Sequence, residues 1–229
     1  MAKMKCIILF LLSIYSLEAF AQKRGQPLFD SLVNELPKLK DDSNKVKTFY
    51  EIVKAEMTIN PDEGIVNAQK GPALSEKINW KKGMANLHNA LGLLIGDNGY
   101  NTEARKHFEQ SYEINKELDA KFSIISNLSN IGRSYRRESD FTKAAGYFFK
   151  ALTIAEELKN KEQIALVTSN ISANYAVQKN YPKAIEYSEF SLKNPKEGSV
   201  SRYLMQYWPD FGDWWIHSHL NTCLTEFAS

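Results

Sequence analysis

Histidine and cysteine are the side chains that most readily bind metals or act as nucleophiles, and three of them lie close together near the end of the sequence. These are His217, His219 and Cys223. On a helix, His219 and Cys223 share a face while His217 points elsewhere, and no spaced pair elsewhere completes a site. His88 and His107 stand alone along the chain, and we expect both at helix-packing positions. The sequence therefore predicts no metal site and no cofactor.

Other catalytic patterns are also missing from the sequence. It contains no phosphate-cradling glycine loop, no zinc-protease helix and no nucleophile elbow. Carboxylate pairs such as Asp41-Asp42 are adjacent along the chain and imply no pocket. The formal net charge is only +2, and the lysines are interleaved with glutamates, so bulk charge does not attract nucleic acid. We therefore expect neither an enzyme nor a nucleic-acid-binding protein.

The elements that must position any functional residue recur at a fixed interval of forty residues. The matched pairs include Ile131 and Ile171, Tyr135 and Tyr175, Ala144 and Ala184, Gly92 and Gly132, and Phe108 and Phe148. Helical spacing inside a period near forty is typical of a stacked helical array. The predicted fold class is all-α, with about four helical hairpins.

The spacing inside the best-formed unit, residues 119–158, narrows the fold further. Gly132 and Tyr135 share a face of the first helix, while Ala144 and Phe148 share a face of the second. Small residues allow the two helices to approach closely, and the rings fill the remaining space. The pattern resembles the tetratricopeptide repeat (TPR) over roughly residues 44–198. This resemblance implies a TPR-like solenoid, a right-handed α-α superhelix.

Each unit is six residues longer than the usual repeat of about thirty-four residues. We expect a longer hairpin with one added core layer, continued by Ile154, Leu158 and Ile164. Short polar residues at the predicted helix starts support this alignment of the forty-residue repeats. The predicted N-caps are Asn60, Asp140 and Asn180 for second helices and Asn79 and Asp119 for first helices. Gly71-Pro72 should interrupt the second helix of the first hairpin.

The two ends of the chain differ from the repeats. Lys3 and Lys5 precede an apolar run, and Ala19-Phe20-Ala21 ends in small residues, so residues 1–21 are predicted to be a secretory signal peptide cut before Gln22. Residues 22–43 are predicted to be a linker, 44–198 the repeat array, and 199–229 a tryptophan-rich non-repeat tail or atypical cap. We expect an exported chain, periplasmic or secreted, with no membrane span after cleavage.

The resemblance to TPR proteins also indicates where a partner would bind. It implies that the first helix of each hairpin lines an inner groove, where amide and hydroxyl groups can bond an extended peptide and arginines can pair with a carboxylate. The candidate groove residues are Asn86, Asn89, Ser126, Ser129, Asn130, Arg133, Arg136, Leu166, Ser169 and Asn170.

These features predict a protein–protein interaction module whose partner is a protein or peptide. A signal followed by such repeats is similar to the exported sensory region of bacterial TPR-containing histidine kinases and regulators. The resemblance implies that this chain is the sensory or regulatory part of a signalling system, either as a truncated or as a free-standing relative. The alternative is a cell-envelope assembly or scaffold factor without a signalling role.

Overall fold

The computed structural model describes residues 26–59 and 69–192, and all regular elements within them are helical. The chain divides after Ser139 into two compact units. Unit 1 contains α1 (26–35), a 3-10 turn (Leu36–Lys38), α2 (Ser43–Ile59), α3 (Lys70–Lys77), α4 (Lys81–Asp97), α5 (Asn101–Glu117) and α6 (Lys121–Arg137). Unit 2 contains α7 (Phe141–Glu157), α8 (Lys161–Val177) and α9 (Tyr181–Leu192). The predicted all-α class of successive helical hairpins is confirmed.

Helix α4 is the centre of unit 1, because it packs against α2, α3, α5 and α6. Its apolar stripe contributes to a buried cluster that comprises Val46, Phe49, Val53, Leu74, Leu87, Ala90, Leu91 and Leu94. The salt bridge between Lys77 and Asp41, at 2.9 Å, ties α3 to the segment before α2. Hydrogen bonds from Lys77 and then Lys45 lower the pKa of the Asp41 carboxyl to about 2.

Gly92 sets the distance between α4 and α5. A Cβ atom at this position would lie 2.5 Å from a ring carbon of Phe108 and 3.0 Å from the carbonyl oxygen of Ala104. Only glycine leaves room for the aromatic ring against the α4 backbone at this spacing. The close approach predicted from the small residues of the repeat is therefore confirmed at this position.

Unit 2 is built on α8, which packs against both α7 and α9. Alanines 144, 151 and 155, together with Phe148, form the buried stripe of α7. Between α8 and α9, Ser172 Oγ donates to the Ala184 carbonyl at 2.7 Å and lies 2.7 Å from Ser188 Oγ. The two helices are thus joined by buried hydroxyl groups as well as by apolar side chains.

The helices from α4 to α8 are all seventeen residues long, and each is separated from the next by three residues. The central residue of each turn has a positive φ, at positions that recur every twenty residues: Asn79, Gly99, Asp119, Ser139, Lys159 and Lys179. The next N–H bonds back five residues, as from Ala120 to the Asn115 carbonyl. This is the hydrogen bond of a Schellman C-cap, so the forty-residue repeat consists of two equal halves.

The turns correct two predicted N-caps. Asn79 and Asp119 have φ values of 53° and 49°, which places them just after the preceding helices rather than at the start of the following ones. The N-cap positions belong to Trp80 and Ala120, whose side chains make no capping bond. A short polar residue tolerates left-handed backbone as readily as it caps, so the sequence pattern alone does not separate the two roles.

Other predicted helix starts agree with the structure. Asp140 accepts from the Lys143 amide at 3.1 Å, and Asn180 accepts from the Lys183 amide at 3.4 Å. Helix α3 begins at Lys70, so Pro72 lies in its first turn, where its missing N–H needs no helical partner. The predicted helix before Gly71-Pro72 falls on residues 61–68, outside the described residues, so its interruption there stays a prediction. Asn60 lies outside the described residues.

The predicted additional core layer is thinner than the sequence suggests. Ile154 and Ile164 are half-buried, but Leu158 is 37% exposed because it lies at the α7 C-cap, past the last helical turn. Ala155 fills the buried position in that turn instead. The prediction for Leu158 is therefore wrong. The six residues by which each repeat exceeds the usual length instead lengthen both helices of the hairpin.

Candidate functional site

Two neighbouring helices of unit 1, α4 and α6, carry most of the predicted groove residues. The Oδ1 atom of Asn89 on α4 accepts two hydrogen bonds from α6: one from Asn127 Nδ2 at 3.2 Å and one from Asn130 Nδ2 at 3.0 Å. The amide plane of Asn89 is thereby held in one orientation. We call the surface formed by Asn86, Asn89, Ser126, Asn130 and Arg133 the α4–α6 polar face.

The hydrogen-bonding groups left over on this face complement a peptide backbone. Among the described residues, neither the Asn89 amide nitrogen nor the Asn130 amide oxygen has a partner. The first can donate to a carbonyl and the second can accept from an N–H, which are the two groups that each peptide unit presents. An extended segment laid across the face could therefore satisfy both asparagines.

A buried polar network supports Asn89 from beneath. Asn127 is 1% exposed, and its Oδ1 accepts from Asn115 at 2.9 Å while its Nδ2 donates to Ser111 Oγ at 3.0 Å. Ser111 in turn donates to the Ala85 carbonyl at 2.8 Å. This network was not predicted from the sequence, although polar residues at core positions of α5 and α6 were its visible signal.

Arg133 is a half-buried cation on the same stripe of α6 as Ser126 and Asn130. It lines a small depression with Leu93 and Asn130 and forms no ion pair with a described acidic residue. By contrast, Arg137 is engaged by Asp97 at 2.8 Å and by the Gly96 carbonyl at 2.7 Å. Arg133 therefore remains available for a ligand carboxylate, whereas its neighbour has a structural role.

The remaining predicted residues of unit 1 differ in accessibility. Asn86 is exposed, and Ser126 is half-buried with its hydroxyl bonded to the Phe122 carbonyl of its own helix at 3.2 Å. Arg136 is half-buried. Ser129 is only 4% exposed, and its buried hydroxyl has no partner among the described residues. Ser129 is thus the least accessible of the predicted contacts.

The other three predicted groove residues belong to unit 2 and lie on α8. Leu166 is 50% exposed, whereas Ser169 and Asn170 are half-buried. Within this unit, Tyr187 lies between Phe149 and Tyr175, with ring centroids 6.0 Å and 5.8 Å away. The unit therefore presents an apolar and aromatic surface in addition to the polar residues.

The two histidines predicted at helix-packing positions meet directly. His88 on α4 and His107 on α5 are both half-buried, and their Nδ1 atoms are 3.1 Å apart. Burial, followed by the nearby His107, lowers the pKa of His88 to about 4. Burial also lowers the pKa of His107, against the opposing effects of Glu103 and a hydrogen bond with Gln110.

The described residues also bear on metal binding and on insertion into a membrane. No group of three His, Cys, Asp or Glu side chains there could hold a metal ion. None of the helices at 26–59 and 69–192 combines the length and apolar character needed to cross a bilayer. His217, His219, Cys223, the predicted signal peptide and the predicted tail lie outside the described residues.

A known repeat family matches the middle of the chain. Residues 83–157 match the tetratricopeptide repeat. No curated protein matches the sequence at a significant level. Solved structures do match the fold, although their sequence identities are low.

A kinesin light chain-type protein from Podosopora anserina, with nearly identical TPR-like repeats, matches with a TM-score of 0.61 and 16% identity over 80% of this chain and 94% of its own. A Rap protein complexed with Competence and Sporulation Factor matches with a TM-score of 0.64 and 19% identity over 76% of this chain and 50% of its own. A Signal Transduction ATPase with Numerous Domains, with a TPR sensor, from Pyrococcus horikoshii matches with a TM-score of 0.65 and 21% identity over 78% of this chain and 28% of its own. This chain thus spans half of the Rap chain and less of the ATPase, and the likeness shows a TPR-like fold.

Proposed function

We propose that this chain, whose helical hairpins are of the tetratricopeptide type, is a peptide-binding module without enzymatic activity. The peptide binds in unit 1, across the α4–α6 polar face. In unit 2, considered by itself, Leu166, Ser169 and Asn170 of α8 stay candidate contacts for a peptide. The module serves an exported sensory or regulatory system. The TPR fold supports the coarser part of this proposal, a protein–protein interaction module.

The observation that carries the proposal is the fixed amide of Asn89. Its oxygen is occupied by Asn127 and Asn130, so its N–H groups are the part left for a ligand. Preorganisation of this kind lowers the entropy lost on binding, because the protein side chain is ordered before the peptide arrives. Arg133 adds a charge preference, since an unpaired guanidinium favours acidic side chains or a free carboxyl terminus.

Two of the structural neighbours support the sensory part of the proposal. The Rap protein was solved with Competence and Sporulation Factor bound, and the Pyrococcus protein carries its TPR region as a sensor. The predicted signal peptide at residues 1–21 supports export. Together these motivate a search for ligands among short extracellular or envelope peptides.

The test measures binding of defined peptides to the full chain. Fluorescent extended peptides in three matched sets, acidic, neutral and basic, are titrated and followed by anisotropy. We expect the acidic set to bind best, Arg133→Glu to weaken it at least about tenfold, and Asn89→Ala to weaken all sets about tenfold. Lys106→Glu, the same charge change at an exposed position of α5, should leave binding unchanged.

Two results would contradict the proposal. If Arg133→Glu and Lys106→Glu weaken binding equally, the loss comes from the change in net charge and not from a contact of Arg133 with the peptide. Full binding by Asn89→Ala would remove the α4–α6 polar face from the site. Circular dichroism of each variant verifies that the helices remain folded.

A further inference from the structure

A chain of buried hydrogen bonds begins at the backbone of α4 and returns to the same helix at Asn89. Its first member is the hydroxyl group of Ser111 on α5, whose oxygen lies 2.8 Å from the Ala85 carbonyl oxygen. A carbonyl group has no proton to give, so Ser111 must donate its single hydroxyl proton to Ala85. Towards every other neighbour, Ser111 Oγ can therefore only accept.

Two amide groups use the remaining lone pairs of Ser111. Asn127 Nδ2 donates to Ser111 Oγ at 3.0 Å and Asn115 Nδ2 donates to it at 3.3 Å. Asn115 Nδ2 also donates to Asn127 Oδ1 at 2.9 Å. The two ends of an amide are nearly alike in shape, so only such bonds decide which end is the oxygen. Turning Asn127 over, alone or together with Asn115, would place an amide oxygen against the lone pairs of Ser111.

The orientation of Asn127 determines what Asn89 offers on the surface. The other N–H of Asn127 donates to Asn89 Oδ1 at 3.2 Å, and Asn130 Nδ2 donates to the same oxygen at 3.0 Å. Asn89 must therefore turn its oxygen inwards and its N–H groups outwards. Ser111, Asn115 and Asn127 are at most 4% exposed, so water does not compete for these bonds.

We propose that Ser111 and Asn115 of α5 are positioning residues for the α4–α6 polar face, and that the group they select at Asn89 is a backbone carbonyl oxygen of the peptide. Both side chains are buried and act on the ligand only through Asn127. A ligand with a hydrogen-bond donor at this point is rejected, because two donors would then face each other. The ligand contact rests on the peptide-binding proposal, whereas the polarity of the buried chain does not depend on any ligand.

The first test replaces each asparagine, in the full chain, by aspartate, which has nearly the same shape but no N–H. Asn89→Asp keeps the inward oxygen, so its melting temperature should stay within about 2 °C of that of the unsubstituted chain. Asn115→Asp and Asn127→Asp each lose two buried donors and should melt at least about 5 °C lower. A loss in Asn89→Asp as large as in Asn127→Asp would overturn the assigned polarity.

The second test separates an effect on the ligand contact from an effect on folding. The acidic peptide that binds best is prepared with a thioamide at each backbone position in turn, because sulfur is a weak hydrogen-bond acceptor. Anisotropy titrations should find one position at which the thioamide weakens binding severalfold. This thioamide effect should vanish in Asn89→Ala and shrink at least about twofold in Ser111→Ala.

The matched control is Ser188→Ala, which removes a buried hydroxyl group in unit 2, where Ser188 Oγ donates to the Ala184 carbonyl at 2.8 Å. It should leave the thioamide effect unchanged. An undiminished effect in Ser111→Ala would overturn the positioning role, and no effect at any position of the peptide would overturn the carbonyl contact. If no peptide binds the unsubstituted chain, the peptide-binding proposal and the carbonyl contact both fall, while the melting temperatures by themselves decide the polarity of the buried chain.

Discussion

At the scale of single residues, side chains of similar polarity and burial have different roles because their hydrogen-bond partners differ. Asn127 and Ser129 lie two residues apart on α6 and are both buried. The Asn127 amide has hydrogen-bond partners on two other helices, α4 and α5, while the Ser129 hydroxyl has no described partner. A buried amide is stabilising only when its partners are present. The network around Asn127 therefore fixes Asn89, whereas Ser129 is a packing residue whose predicted contact with a ligand has no direct support.

The first prediction concerns Phe148, which is fully buried in α7. Phe148→Ala should lower the free energy of unfolding by about 3–5 kcal/mol, because it removes the ring and leaves a cavity between small residues. Phe149→Ala is the matched control, since that ring is 36% exposed, and should cost about 1 kcal/mol. Urea unfolding followed by circular dichroism measures both, and equal losses would show that the ring of Phe148 is not a core element.

At the scale of elements, the twenty-residue interval between turns explains why the repeat is forty residues long. Each helix of seventeen residues ends in a left-handed residue that reverses the chain in three residues. Only one of the six turn positions is occupied by glycine, Gly99. The other turns keep the same geometry with residues that have a Cβ, so the packing of the flanking helices must compensate for backbone strain there.

This strain leads to a second prediction, for Lys159, whose φ is 53° and whose side chain is exposed. Lys159→Gly should raise the free energy of unfolding by about 1 kcal/mol, because glycine adopts the left-handed conformation without a Cβ clash. Lys150→Gly, at an exposed position inside α7, should lower it by about 1 kcal/mol. A loss of stability in both variants would contradict the strained turn.

At the scale of the whole molecule, export is the proposal with the most direct test. If residues 1–21 are a signal peptide, the exported product of a bacterial expression strain begins at Gln22, which mass spectrometry detects. Ala19→Arg/Ala21→Arg should block cleavage, because signal peptidase reads small residues at those two places, and Phe20→Leu between them should not. If the product retains Met1 in every variant, whether it is exported or cell-associated, the proposed export through a cleaved signal peptide is wrong.

The sequence by itself determined the helical hairpins, their forty-residue period and several of their boundaries. These properties follow from local rules: apolar spacing of 3.6 residues defines a helix face, and residues such as Asp140 cap the following turn within three positions. Such signals need no knowledge of what lies on the neighbouring helix. The same locality is why Asn79 and Asp119 were misassigned, since a cap and a left-handed turn residue favour the same side chains.

Only the tertiary structure decided which side chains meet. Asn89 and Asn130 are forty-one residues apart in the sequence, yet the Oδ1 atom of the first is 3.0 Å from the Nδ2 atom of the second. His88 and His107 are nineteen residues apart, yet their Nδ1 atoms are 3.1 Å apart. Whether two helix faces meet depends on the rotation of each helix about its axis and on the distance between axes, and close packing at positions such as Gly92 sets both. The hairpins are therefore a local property of the chain, whereas the polar face and the histidine pair exist only once α4, α5 and α6 are packed.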